Sequence, residues 1–157
     1  MAVDGCSAGN PAISLAAMAR SFYRFAVAGR DEASPRDRAL ARIRAAMADE
    51  PELVAGDARL CTDVMRATRG AVVTKTGAEG LQCAALPVAG VGVALKVEDG
   101  SDRAKGPALL AFLAENGWLE PVALAALSAW AHPTIPNVRG IAVGRLEWSS
   151  EPVATPA

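Results

Sequence analysis

Residues Val72–Cys83 read VVTKTGAEGLQC. A β-branched run ends in Lys75, a glycine-rich turn follows at once, and an apolar run resumes at Leu81. Val and Thr favour the pleated, half-buried surface of a sheet, while Gly supplies turn conformations that other residues adopt at a cost. The pattern continues on both sides. From Gly70 to Lys96 the chain is rich in valine and glycine, and VVTK, LQCAAL and VGVALKV read as short strands joined by TGAEG and PVAG turns. Short turns between successive strands predict an antiparallel sheet.

The flanks of this stretch read as helices. Leu15, Met18, Ala19, Phe22, Phe25 and Ala26 recur at three- and four-residue steps between Ile13 and Ala28, the spacing of a helix with one apolar stripe. Ser34-Pro35 supplies an N-cap and first-turn pair for a second helix. Its predicted apolar face is Leu40, Ile43, Ala46 and Met47, and its arginines, Arg44 among them, read as solvated. A third helix, capped by Asp57, carries Leu60, Val64 and Met65 and stops at Gly70. Beyond the strands, Ser101 or Asp102 caps a helix burying Leu109, Leu110 and Leu113, and Pro121 opens another. GIAVGRLEW reads as a last strand, and Ser149–Ala157 as a flexible tail. Helices packed on an antiparallel sheet define an α+β fold.

Composition narrows the functional classes. With 157 residues the chain suffices for one domain. Its 16 Lys+Arg against 17 Asp+Glu, without a basic block, argue against nucleic acid as a partner. The N-terminus MAVDGCSAGN lacks a basic region followed by an apolar one, and no apolar run reaches the roughly 18 residues of a membrane span. The expected location is cytoplasmic. Three cysteines, Cys6, Cys61 and Cys83, without a CxxC motif fit a reducing compartment rather than a disulfide framework.

Familiar catalytic arrangements are poorly served. The one histidine, His132 in WAHPTIPN, reads as a capping or packing residue rather than a base. Gly90-Val91-Gly92 is not followed by a helix start and reads as strand packing. Cys61 and Cys83 read as core thiols. Lys75 stands apart because TKTG resembles the KTG box of serine β-lactamases and penicillin-binding proteins, in which a strand lysine faces a serine activated through an S-x-x-K pair. Taken alone, Lys75 reads as a solvated strand end and Glu79 as a turn residue. No Ser or Thr in the chain has a lysine three places on.

A longer resemblance builds on the box. VDGCSAGN, VVTKTGAEGLQC, ALKVEDGSDRA and PNVRGIAVG occur in the order and approximate spacing of the bacterial L-asparaginases of the rhizobial type, the asparaginase II family. The resemblance covers the C-terminal half of a member, over residues 1–148 here, and implies part of a serine β-lactamase-like domain. It implies hydrolysis of L-asparagine to L-aspartate and ammonia by a lysine-activated serine. Lys75 then matches the family lysine that pairs with a catalytic serine, Gly77 and Glu79 of the turn lie against the substrate, and Asp4 assists there. Cys6 matches a cysteine that binds zinc with ligands from elsewhere, so this chain would hold half of a zinc site. Gly9 stands where proline is more usual in the cysteine motif. The absent S-x-x-K serine implies a partner, either a separate N-terminal half or a homodimer mate. The alternative expectation is a catalytically inactive remnant that persists as a folded partner-binding domain.

Overall fold

The computed structural model of the chain describes residues 1–3, 7–30 and 34–149. Strands β1 (Ala2–Val3) and β2 (Gly9–Asn10) pair antiparallel as a small ribbon. Helices α1 (Leu15–Val27), α2 (Pro35–Asp49), α3 (Pro51–Ala55) and α4 (Leu60–Ala67) follow. The central sheet is β3 (Val73–Thr76), β4 (Leu81–Leu86) and β5 (Val91–Lys96), antiparallel in the order β3-β4-β5. A 3-10 turn at Asp102–Ala104 leads into α5 (Lys105–Glu115), then α6 (Pro121–Ala126) and α7 (Ser128–Ala131). A separate hairpin, β6 (Thr134–Pro136) with β7 (Ala142–Arg145), closes the described chain. The α+β class and the three central strands are as the sequence predicts, whereas the last strand lies outside the central sheet.

The sheet is covered on both faces. Alternation along a strand sends successive side chains to opposite sides. Ala84 and Leu86 of β4 join Leu60, Val64, Leu109, Leu110, Leu113 and Leu127 in the main core, from α4, α5 and the α6–α7 segment. The opposite face receives α1. A Cβ on Gly92 would lie 2.0 Å from the Tyr23 amide nitrogen and 2.3 Å from the Ala19 carbonyl oxygen, so the α1 backbone rests directly on β5. Ala85, paired with Gly92, shares that face. Two covering layers explain why LQCAAL, from Gln82 to Leu86, is buried throughout.

The Ser34-Pro35 start of the second helix is as the sequence predicts, and the first helix gains a cap not read there. Ser14 caps α1, accepting the Ala17 amide at 3.2 Å. Ser34 and Asp37 form a reciprocal capping box with Pro35 in the first turn of α2. Three expectations fail, and one helix has no counterpart in the sequence reading. Asp57 is not the cap of α4; the N-cap is Arg59, and Asp57 instead pairs with Arg66 at 3.5 Å. The Pro51–Ala55 helix was not anticipated. Ile43 and Ala46 are exposed, whereas Leu40, Ala41, Arg44, Met47 and Ala48 form the partly buried face of α2. Finally, Arg44 is not solvated: its Nη1 donates to the carbonyls of Phe25, Ala26 and Ala28 at 2.6, 2.8 and 3.1 Å. It thereby closes the C-terminus of α1, where carbonyls lack helical partners and a cation is favoured. Ser150–Ala157, most of the expected tail, lie outside the described residues.

Candidate functional site

Strand β3 carries two different chemical faces. Thr74 and Thr76 alternate with Lys75, and Lys75 pairs with Cys83 whereas Thr76 pairs with Gln82. Lys75 therefore faces the α1 side of the sheet. Its side chain is exposed, and its Nζ donates to the Thr76 carbonyl at 3.0 Å. Of the three N–H groups an ammonium carries, two remain for other acceptors. The side chain borders an open hollow of about 550 Å³ whose walls include Phe22, Phe25, Leu40 and Met47. Ser21 is on the same wall, but its hydroxyl donates to the Ala17 carbonyl at 3.0 Å within α1.

Gly77 and Glu79 sit next to Lys75 in the turn that joins β3 to β4. The Gly77 amide donates to the Leu81 carbonyl at 2.9 Å, and a Cβ on Gly77 would lie 2.8 Å from Leu81 Cδ2. Glu79 and Gly80 both have positive φ, 55° and 73°, which tightens the turn and leaves the Glu79 carboxylate exposed. Lys75, Gly77 and Glu79 are thus brought together at one end of the hairpin. Asp4 and Cys6 lie outside the described residues. Among the described residues no group of three or more His, Cys, Asp or Glu is placed to hold a metal. The described residues alone do not fit a zinc centre.

The other face of β3 holds polar residues that sequence reasoning passed over. Thr74 Oγ1 donates to the Cys83 carbonyl at 2.6 Å, so its lone pairs are what it offers Gln82 Nε2 at 2.7 Å. Gln82 Nε2 also points at Cys61 Sγ, 3.4 Å away, and Cys61 Sγ accepts the Thr76 amide at 3.2 Å. With the amide nitrogen so engaged, Gln82 Oε1 is buried without a partner among the described residues. Beside it, Lys105 of α5 is 6% exposed, its Nζ donating to Thr76 Oγ1 and lying 2.8 Å from Asp102 Oδ1. The one hint in the sequence was a charged residue opening the otherwise apolar helix KGPALLAFL. Its strand partner Thr76 is 29 positions away.

Cys61 and Cys83 are free, buried thiols, as expected of core cysteines. Burial pushes the Cys83 thiol up to about 11. Its thiolate population at pH 8 is therefore expected to be roughly a hundredfold below that of an unperturbed cysteine, and alkylation correspondingly slow. Mass spectrometry of the Cys83 peptide after brief iodoacetamide treatment checks this; labelling should climb as the pH approaches 11 and become fast in denaturant. His132 is exposed at the C-cap of α7, consistent with a capping role.

Fold and hairpin together define the class: an α+β domain whose antiparallel central sheet carries a strand-end lysine beside a glycine-bearing turn. Residues 1–148 match the family described as L-asparaginase II, and the chain belongs to that family. No curated protein matches the chain.

Proposed function

We propose that the chain contributes one part of an amide-hydrolysing site acting on L-asparagine, with Lys75 as the group that activates a hydroxyl nucleophile. The family match over residues 1–148 carries this reading. The geometry supports it: Lys75 is exposed at a strand end, set on its face by β3–β4 pairing, and flanked by a tight turn that contains Gly77 and Gly80. In the proposed reaction Lys75, reacting as the neutral amine, takes the hydroxyl proton as the oxygen attacks the side-chain amide carbon. Lys75 passes that proton to the amide nitrogen as the C–N bond breaks, ammonia leaves, and water hydrolyses the resulting ester to give L-aspartate and the free hydroxyl. Gly77 and Glu79 line the approach to the amide in this reading, and Asp4 assists.

In this reading the nucleophile is an S-x-x-K serine, a pairing absent from these 157 residues, and it is supplied from outside them. Of the two partners named above, only a chain that carries S-x-x-K fits this requirement. The test is ammonia release from L-asparagine by this chain mixed with such a partner. Lys75→Ala is expected to lower kcat by about 10²–10⁴-fold in that mixture, the usual contribution of a positioned base. Because Lys75 is exposed, the variant should keep its Tm. Undiminished turnover by Lys75→Ala would assign proton transfer to another group.

A further inference from the structure

We propose that the α5 face of β3 holds a second binding site, independent of Lys75, for a small carboxylate that also bears an N–H donor, that is, an amino acid. A cavity of about 560 Å³ lies between the start of α4, the β3–β4 pair, the start of α5 and the β6–β7 hairpin. This is within the usual range of metabolite pockets. Three cations, Arg59, Arg103 and Lys105, line it against one carboxylate, Asp102. The excess charge selects an anion.

Lys105 is costly where it stands. It is buried, which penalises a charge, and it opens α5, where the helix dipole disfavours a cation. Its carboxylate partner Asp102 is 70% exposed and so compensates weakly. A residue that violates local rules twice, facing a cavity, is the kind that function retains. Its ammonium has three donors, and Asp102 and Thr76 take two. The third is available to a ligand carboxylate.

The opposite polarity comes from Gln82. The Thr74 hydroxyl spends its proton on the Cys83 carbonyl and can only accept from the amide, which fixes the Gln82 NH₂ toward Thr74 and Cys61. Oε1 is left as a fully buried acceptor without a partner, in a residue that forms part of the cavity wall. A buried unpaired acceptor is destabilising, and a ligand N–H would satisfy it. An anion subsite at Lys105 and an N–H subsite at Gln82, with Trp130 as an apolar wall, match the carboxylate, amine and carbon chain of an amino acid.

Calorimetric titration with L-aspartate, and with succinate as the analogue lacking the amine, tests the assignment. L-Aspartate should bind saturably at one site, with succinate about tenfold or more weaker because Gln82 Oε1 stays unpaired. Lys105→Met should weaken L-aspartate at least tenfold while leaving Tm equal or raised, since an apolar side chain suits the buried position and Asp102 is solvated. That split separates a ligand role from a structural one. Arg59→Gln/Arg103→Gln changes only exposed side chains, so it tests the site even if Lys105→Met folds badly; it should weaken binding several-fold. Lys75→Ala, which addresses the proposed hydrolysis, should leave this affinity unchanged, so either proposal can fail alone. Absence of saturation well above the roughly 1 μM–1 mM range typical of metabolites would overturn the site. So would equal affinity for succinate, unaltered affinity in the arginine double variant, or a folded Lys105→Met that binds normally.

Discussion

The 157-residue chain on its own is expected to release ammonia from L-asparagine on the order of a millionfold more slowly than the same chain mixed with a partner carrying S-x-x-K. The magnitude is that of removing a nucleophile outright, because general-base and positioning groups act only through the bond the nucleophile forms. Among the described residues near Lys75, Ser21 borders the same hollow, but its proton is committed to the Ala17 carbonyl inside α1. A coupled ammonia assay on the isolated chain, with and without the partner, measures the ratio. Fast turnover by the isolated chain would mean that a hydroxyl of this chain is the nucleophile, and Ser21→Ala would then be the first variant to make.

Gly92→Val is expected to be the most damaging single substitution to the fold. The side chain would have to occupy space held by the α1 backbone, where even a Cβ falls 2.0 Å from Tyr23 N and 2.6 Å from the Phe22 carbonyl carbon. Backbone cannot move aside as a flexible side chain can, so α1 must lift from β5. The cost should exceed the roughly 1–3 kcal/mol of ordinary overpacking and reach the 4–5 kcal/mol that marks exceptional mutants. Urea denaturation followed by circular dichroism reads it. Gly144→Ala is the internal control: its Cβ would meet only Ile135 side-chain atoms at 3.7 and 3.9 Å, and its φ is not in the positive region. That variant should be neutral or slightly stabilising. Equal loss in both would trace the effect to strand glycines in general rather than to the α1 contact.

What could be read in the sequence was what depends on neighbours a few residues away. Ser34, Pro35 and Asp37 declare the start of α2 within four positions, and the β3–β4–β5 turns are equally local. Lys75, Gly77 and Glu79 fell together for the same reason. Arg44 was misread because its partners are carbonyls 16 to 19 residues back, on another helix. Asp57 was misread because α4 starts three residues later, behind an Arg59 N-cap with no side-chain cap bond, and Asp57 instead lies beside Arg66, alongside the Arg66–Glu52 ion pair. The Lys105–Thr76–Gln82 group was invisible because no periodicity links a helix start to a strand end. It exists only once α5 is laid on the sheet.

The alternation along β3 places opposite demands on the turn that follows it. Lys75 looks toward solvent and α1, while Thr74 and Thr76 look into the layer beneath α5. Sliding β3 by one position against β4 would exchange these faces, sending an ammonium into the apolar interior and two hydroxyls into the hollow. The short Gly77–Gly80 connection sets the phase of that pairing. An insertion of a single residue there would amount to an inversion of the sheet's inside and outside at this end, not to a longer loop.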